Sequence, residues 1–366
     1  MKKILIVIGT RPEAIKMAPV LLALKDDPLF TTHLCITGQH EELVLEVLDF
    51  FQIHPDSNLG VMEDCRGDLS CLTVAILTKV KQVMEAFRPD VVLVQGDTTS
   101  AFAAALAAFY AKAKLGHVEA GLRTYDKENP FPEELNRVAI SRMADFHFAP
   151  TEVAKANLLR EKITGDHILV TGNTIVDALF AAKKRLPDAA NTLNAELRKT
   201  LLVTIHRREN HGSVFEGICS AIQQLSERED LGIVFILHPN ANIYPVAKKM
   251  LGNWPHVELL EPQPYGSFLQ LMLKSSLILT DSGGIQEEAT VLGKPVLLVR
   301  KTTERPEAIS AGIVKLIGTE EREIVAQVRN FMDGKPLNAS FSGHATVYGD
   351  GKAHKRLLAF LRKMLL

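Results

Sequence analysis

An excess of charge of either sign is the first thing this chain lacks. Its 42 Lys and Arg stand against 43 Asp and Glu, a formal net charge of −1, so the electrostatic basis for binding nucleic acid or a membrane surface is missing. Long hydrophobic runs are missing too. The alanine-rich stretch over residues 101–111 is too short to cross a bilayer, which takes about 20 apolar residues, and it reads as a buried helix. The start, Met1-Lys2-Lys3 and a short apolar run, imitates an export signal, but Arg11-Pro12-Glu13 follows at once, and a first strand is the better reading. Cysteine is sparse: Cys35, Cys65, Cys71 and Cys219 form no CxxC pair and no metal-ligand spacing. They read as reduced, mostly buried thiols of a cytosolic, cytoplasmic protein. No GxGxxG follows the first strand, so a dinucleotide cofactor is not expected. No metal site is expected either, no lysine signals covalent catalysis, and no repeat of fixed period runs through the chain.

What is present is an ordinary globular composition, 46% apolar and 23% charged, in a chain long enough for two domains at about 100–200 residues each. Apolar runs of strand length alternate with segments of helical spacing from end to end. Strands are expected over residues 3–8, 33–37, 91–94, 114–118, 146–148 and 168–171. After a polar, unpatterned stretch at 187–200, they are expected again over 201–205, 232–237, 257–260, 277–280, 295–299 and 313–316. Such alternation means α/β architecture with parallel sheets, and the break at 187–200 makes it two doubly wound, Rossmann-like domains, 1–186 and 187–350, facing a cleft. Ligands of such sheets bind beyond the carboxyl ends of the strands.

The stretch Asp281-Ser282-Gly283-Gly284-Ile285-Gln286-Glu287-Glu288 organises the reading. It follows the apolar run Leu277-Ile278-Leu279 and leads into a helix over residues 285–292. A strand turning through Ser-Gly-Gly into a helix leaves backbone N–H groups at a positive helix end, which suits a phosphate. Glu288, about one turn in, is placed to bond sugar hydroxyls. A plain strand-to-helix turn would look the same locally, so the rest of the chain decides. Arg11 and Lys16 flank the first strand-to-helix turn. Asp97 and Glu119 each follow a strand's carboxyl end, and Glu133 opens the next helix. Each carboxylate alone would pass for a helix cap or dipole partner; three on one rim favour a cation, a metal or proton transfer. His206-Arg207-Arg208-Glu209-Asn210 follows the first strand of the second half, His238-Pro239-Asn240 follows the second, and Thr303-Glu304-Arg305-Pro306-Glu307 repeats the Arg-Pro-Glu pattern of the start. The residues by themselves describe an enzyme acting on a phosphorylated or nucleotide-linked compound by acid–base chemistry.

Taken together, Gly9-Thr10-Arg11-Pro12-Glu13-Ala14-Ile15-Lys16, Gly96-Asp97-Thr98-Thr99, His117-Val118-Glu119-Ala120-Gly121-Leu122-Arg123-Thr124, Pro130-Phe131-Pro132-Glu133-Glu134-Leu135-Asn136-Arg137, Thr171-Gly172-Asn173-Thr174, His206-Arg207-Arg208-Glu209-Asn210 and the 281–289 segment resemble the non-hydrolysing UDP-N-acetylglucosamine 2-epimerases. The resemblance implies a glycosyltransferase-B type fold, with the last helix, 351–366, packing back on the first domain. It implies an isomerase that interconverts UDP-GlcNAc and UDP-ManNAc through 2-acetamidoglucal, with no cofactor or metal, in a homodimer that feeds surface polysaccharide synthesis. By the same resemblance Asp97, Glu119 and Glu133 form the acid–base set, and His206 assists departure of the diphosphate. Arg11, Lys16, Ser282, Gly283 and Gly284 hold that diphosphate, Arg137 lies near the sugar, Glu288 binds ribose, Gln263 and Phe268 bind uracil, and Arg305 closes the rim. Gln39, His40, Arg66, Arg207 and His238 are the candidates for a second, activating UDP-GlcNAc, although Glu41-Glu42, Asp68 and Gln95 depart from the family's usual residues. Two other readings stay open on the residues: a glycosyltransferase of the same fold, which needs an acceptor, and a non-catalytic nucleotide-sugar sensor.

Overall fold

Each apolar run of the first half becomes a parallel strand, β1 (Lys2–Ile8), β2 (Phe30–Ile36), β4 (Val91–Gln95), β5 (Lys114–Val118), β6 (Phe146–Ala149) and β7 (Ile168–Val170), and a two-residue β3 (Ser57–Asn58) joins at the edge. The computed structural model describes residues 1–186, 199–238, 240, 242–303, 305–337 and 347–365. The sheet runs in the order β3-β2-β1-β4-β5-β6-β7. The segments of helical spacing become α1 (Arg11–Lys25), α2 (Glu41–Phe50), α4 (Leu69–Phe87), α5 (Thr99–Tyr110), α6 (Glu133–Met143), α7 (Glu152–Arg160) and α8 (Thr174–Lys183), with a single-turn α3 (Met62–Cys65) before α4. Strands this apolar must be covered on both faces. On one face Leu5, Val7, Val92 and Val94 pack against Leu72, Ile76 and Val80 of α4 and the alanines of α5. Local signals fix the helix starts: Thr98 accepts from the Ala101 amide and Thr151 from the Ala154 amide.

The second half repeats the plan with β8 (Lys199–Thr204), β9 (Leu231–Ile236), β10 (Val257–Leu260), β11 (Leu277–Thr280), β12 (Val296–Leu298) and β13 (Val314–Leu316), in the order β10-β9-β8-β11-β12-β13. Its helices are α9 (Ser213–Ser226), α10 (Tyr244–Leu251), α11 (Tyr265–Lys274), α12 (Gly283–Val291), α13 (Pro306–Ser310) and α14 (Glu321–Met332). Leu201, Val203, Ile233 and Phe235 meet Phe215, Ile218 and Ile222 of α9 and Ile324 and Val328 of α14 in its core.

The chain divides into two units, Met1–Lys184 with Tyr348–Leu366, and Arg185–Val347. The last helix, α15 (Ala353–Leu365), packs on α1 and α8 of the first unit. Asp177 caps it, accepting from the amides of Ala353 (3.3 Å) and His354 (3.0 Å). Phe360 stands edge-on to Phe146 and Phe148, and Arg362 donates to Asp27 at 2.8 Å.

Four local expectations need correction. Cys65 and Cys71 are not free thiols but a disulfide. Arg66 ends α3 in the left-handed conformation, and the turn it makes brings the two Cα atoms to 5.3 Å; only Cys35 and Cys219 are buried thiols. Residues 199 and 200 belong to β8 rather than to a linker, because β9 pairs with them; residues 187–198 lie outside the described residues, as do Pro239, Glu304 and 338–346. The turn-rich stretch around residues 56–67 contains β3 and α3, the edge-strand pairing Cys35↔Ser57 being tertiary. Finally α12 begins at Gly283, two residues earlier than the periodicity implies, so both glycines are its first helical residues.

Candidate active site

In a doubly wound sheet, neighbouring loops diverge where the strand order reverses, and that gap is where ligands enter. In the first unit the reversal lies between β1 and β4, in the second between β8 and β11. The residues that follow these four strands are those the motifs singled out.

In the first unit β1 is followed by Gly9, where only glycine fits: a Cβ there would lie 2.0 Å from Ser100 Oγ and 2.6 Å from Thr37 Oγ1. Glu13, in the first turn of α1, turns back and accepts from the amides of Gly9 (3.0 Å) and Thr10 (2.6 Å), and its other oxygen accepts from Thr98 Oγ1 (2.8 Å). One buried carboxyl thus ties the loop after β1 to the loop after β4. Its burial pushes the pKa from 4.5 up to about 7, outweighing those hydrogen bonds, which all pull it down.

Asp97 and Glu119 leave adjacent strands, since Gln95 of β4 pairs with Val118 of β5. Each carboxylate meets a buried cation. Arg137 of α6 donates to Asp97 Oδ2 from Nε (2.9 Å) and again from Nη2, and it reaches Glu134 Oε2 at 3.0 Å. Lys16 of α1 forms a short contact with Glu119, both side chains almost completely buried. Glu119 itself has φ +67, a conformation uncommon outside glycine. Asn136 donates to the Asp97 carbonyl at 2.9 Å. Glu133 opens α6 with one carboxylate oxygen buried; its neighbour Glu134, which the motifs did not single out, accepts from the amides of Thr124 (3.0 Å) and Tyr125 (2.9 Å) and so holds the loop before α6. Arg11 is half-buried at the start of α1. Lys16 and Arg137 thus each serve a carboxylate of the same rim.

The activator candidates of this unit follow β2 and end α3. Gln39 accepts from Ser100 Oγ at 2.7 Å, His40 is the cap of α2, and Arg66 ends α3. Burial lowers the pKa of His40.

In the second unit the central residue is one the motifs named without assigning it a role. Asp281 is fully buried at the end of β11. Its carboxylate accepts from the amides of His206 (3.1 Å) and Arg207 (2.9 Å) and from Asn210 Nδ2 (2.8 Å), so the His-Arg-Arg-Glu-Asn loop is built around it. His206 is half-buried, its Nε2 3.7 Å from Asp281 and its ring stacked on His238 with centroids 5.6 Å apart. Desolvation lowers its pKa below the ordinary 6.5; Arg207 and Arg300 push the same way while Asp281 opposes. Beside this loop Ser282 caps α12. A Cβ on Gly284 would meet nothing within 4 Å, so packing does not explain the glycine. Glu288 is buried in α12, and Phe268 is buried in α11. Gln263 donates to the Glu261 carbonyl at 2.8 Å. Arg305 is committed to Glu287 of α12, Nε to Oε1 at 2.7 Å, and Arg300 to Glu209 at 3.0 Å. Among the described residues no group of three or more His, Cys, Asp or Glu side chains could hold a metal ion, and no helix is long and apolar enough to cross a membrane.

Residues 22–362 match the family model described as UDP-N-acetylglucosamine 2-epimerase. The chain belongs to the UDP-N-acetylglucosamine 2-epimerase family. A curated relative of that name from Salmonella typhimurium is 48% identical over 371 residues, with 98% of each chain covered. The crystal structure of a UDP-GlcNAc 2-epimerase from Neisseria meningitidis bound to UDP-GlcNAc is 44% identical and superposes with a TM-score of 0.93, over 99% of this chain and all of that one. The Methanocaldococcus jannaschii UDP-GlcNAc 2-epimerase, solved in complex with UDP-GlcNAc and UDP, is 34% identical with a TM-score of 0.85 over 99% of each chain. The family's fold, glycosyltransferase-B type with two parallel sheets, is the fold of this chain.

Proposed function

We propose that this family member interconverts UDP-GlcNAc and UDP-ManNAc by eliminating UDP and adding it back. The observation that carries the reading is a pair of carboxylates on neighbouring strand ends, Asp97 and Glu119, each matched to its own buried cation, Arg137 and Lys16. The C2 hydrogen of a pyranose has no adjacent carbonyl, so direct deprotonation is very unfavourable. Breaking the C1–O bond first, with its electron pair leaving on the diphosphate, makes C1 electron-poor and C2–H acidic. A carboxylate takes that proton and the C1=C2 bond of 2-acetamidoglucal forms. In return, a proton is delivered to the opposite face of C2, and the diphosphate oxygen closes on C1. The sequence is redox-neutral, and it needs acids and bases on two sides of one ring. Asp97, Glu119 and Glu133 are the set for this, and their negative charge also favours the cationic C1.

The second unit takes the nucleotide. The amides at the start of α12, with Ser282, Gly283 and Gly284, suit the diphosphate. His206 offers a donor to the departing group, Glu288 meets the ribose, and Gln263 with Phe268 meets uracil. The product supplies ManNAc for surface polysaccharide. A homodimer in the cytoplasm, and a second UDP-GlcNAc at Gln39, His40, Arg66, Arg207 and His238, complete the reading; sedimentation and a rate-against-substrate curve test them.

The deciding experiment is incubation with UDP-GlcNAc in D₂O without acceptor. UDP-ManNAc carrying deuterium at C2 is expected, and D97N or E119Q should turn over about 10²–10⁴-fold more slowly. Sugar transfer only when an acceptor is added would make the protein a glycosyltransferase. Tight binding without turnover would make it a sensor.

A further inference from the structure

We propose that His117 is a positioning residue for Asp97, its ring fixing the peptide from which that carboxylate projects. The inference rests on the acid–base reading of Asp97 given above. His117 lies in the middle of the sheet, opposite Val94 in the β4–β5 pairing, and is completely buried. Its Nε2 lies 2.8 Å from the Gly96 carbonyl oxygen. Burial pushes its pKa down to about 3, so the ring is neutral at any working pH. A carbonyl oxygen can only accept, so Nε2 carries the hydrogen and Nδ1 is the bare nitrogen. Nδ1 makes no hydrogen bond among the described residues. A buried polar atom without a partner is costly, and a valine or leucine would fill this strand position without that cost. The one hydrogen bond the ring makes is therefore the reason to look for a role.

That bond falls where β4 gives out. Gly96 has φ +70 and its amide donates to Val118 at 3.0 Å, so the chain leaves the sheet at this residue. The next residue is Asp97. From the α6 side Asn136 holds the Asp97 carbonyl and Arg137 its carboxylate; from α1, Glu13 holds Thr98. His117 restrains the preceding peptide, which those contacts do not touch. Without it, the Gly96–Asp97 peptide can rock about a glycine, and the carboxylate swings with it.

The test uses two amides that differ in reach. Glutamine can place its side-chain nitrogen near the position of Nε2, whereas asparagine places it near Nδ1, too far from Gly96. Both are polar and uncharged, and comparing their melting temperatures separates loss of this hydrogen bond from loss of packing. H117N is expected to lose about 10- to 100-fold in kcat, the scale on which small misplacements act, with KM for UDP-GlcNAc nearly unchanged. H117Q should recover most of the loss at a comparable melting temperature. In a D97N background, assayed at high enzyme concentration, H117N should cost nothing further. Equal kcat for H117Q and H117N, or the full H117N loss persisting in D97N, would overturn this proposal alone. Full turnover of the D97N single variant would instead overturn the acid–base reading, and this inference with it.

Discussion

Glu13 offers a test in which sign and size both follow from burial. Its carboxyl accepts two backbone amides and a hydroxyl, yet desolvation raises its pKa from 4.5 to about 7. The folded chain therefore binds more protons at this site than the unfolded chain between those two values, so this contribution to stability is complete below pH 4.5 and is lost as pH rises towards 7. At about 1.4 kcal/mol per pH unit, the gap is worth roughly 3 kcal/mol. E13Q keeps an acceptor for the amides but cannot titrate. Urea unfolding by far-UV circular dichroism should show wild type losing up to about 3 kcal/mol more than E13Q between pH 5 and 8. The buried histidines His117 and His147, whose pKa values are lowered, tilt the curve the other way in both proteins, so only the difference between the two is diagnostic. A pH-independent difference between wild type and E13Q would refute the reasoning, and so would a difference of opposite sign.

Three further outcomes are expected. G284A should separate stability from binding: the added methyl meets nothing and favours a helix by up to about 1 kcal/mol, so calorimetry should show an unchanged or higher melting temperature together with weaker UDP binding. D281A removes the acceptor around which the 206–210 loop is built; each buried hydrogen bond to a charged group is worth about 1.5–3 kcal/mol, and turnover should collapse along with protease resistance of that loop. Replacing Cys65 and Cys71 together by serine opens a small loop, which on chain-entropy grounds costs about 2 kcal/mol, measurable as a lower urea midpoint for the first unit in non-reducing buffer.

Apart from β3, the parallel strands were legible because each is a short apolar run bounded by turn residues. The caps at Thr98 and Thr151 are local chemistry, each side chain accepting from an amide three residues on. The rim position of Asp97 and Glu119 followed from the same alternation, since a residue just past a parallel strand lies at the sheet's carboxyl edge whatever surrounds it. The start of α12 differs from the periodicity because two glycines carry none, and Ser282 takes the N-cap position ahead of them. The motifs gave no sign that Asp281 would be the hub of the 206–210 loop, because its partners come from a loop more than seventy residues earlier in the chain.

The order of residues alone thus determined the element types, the two-sheet plan and which side chains sit at strand ends, all properties governed by interactions within a few residues. Which charge meets which was decided only on folding. Lys16 and Glu119 are 103 positions apart and Arg137 and Asp97 are 40 apart; the Cys65–Cys71 pairing depends on a left-handed residue, and the pKa of Glu13 on the protein packed around it. Pairing and desolvation depend on distance in space, which no local pattern encodes.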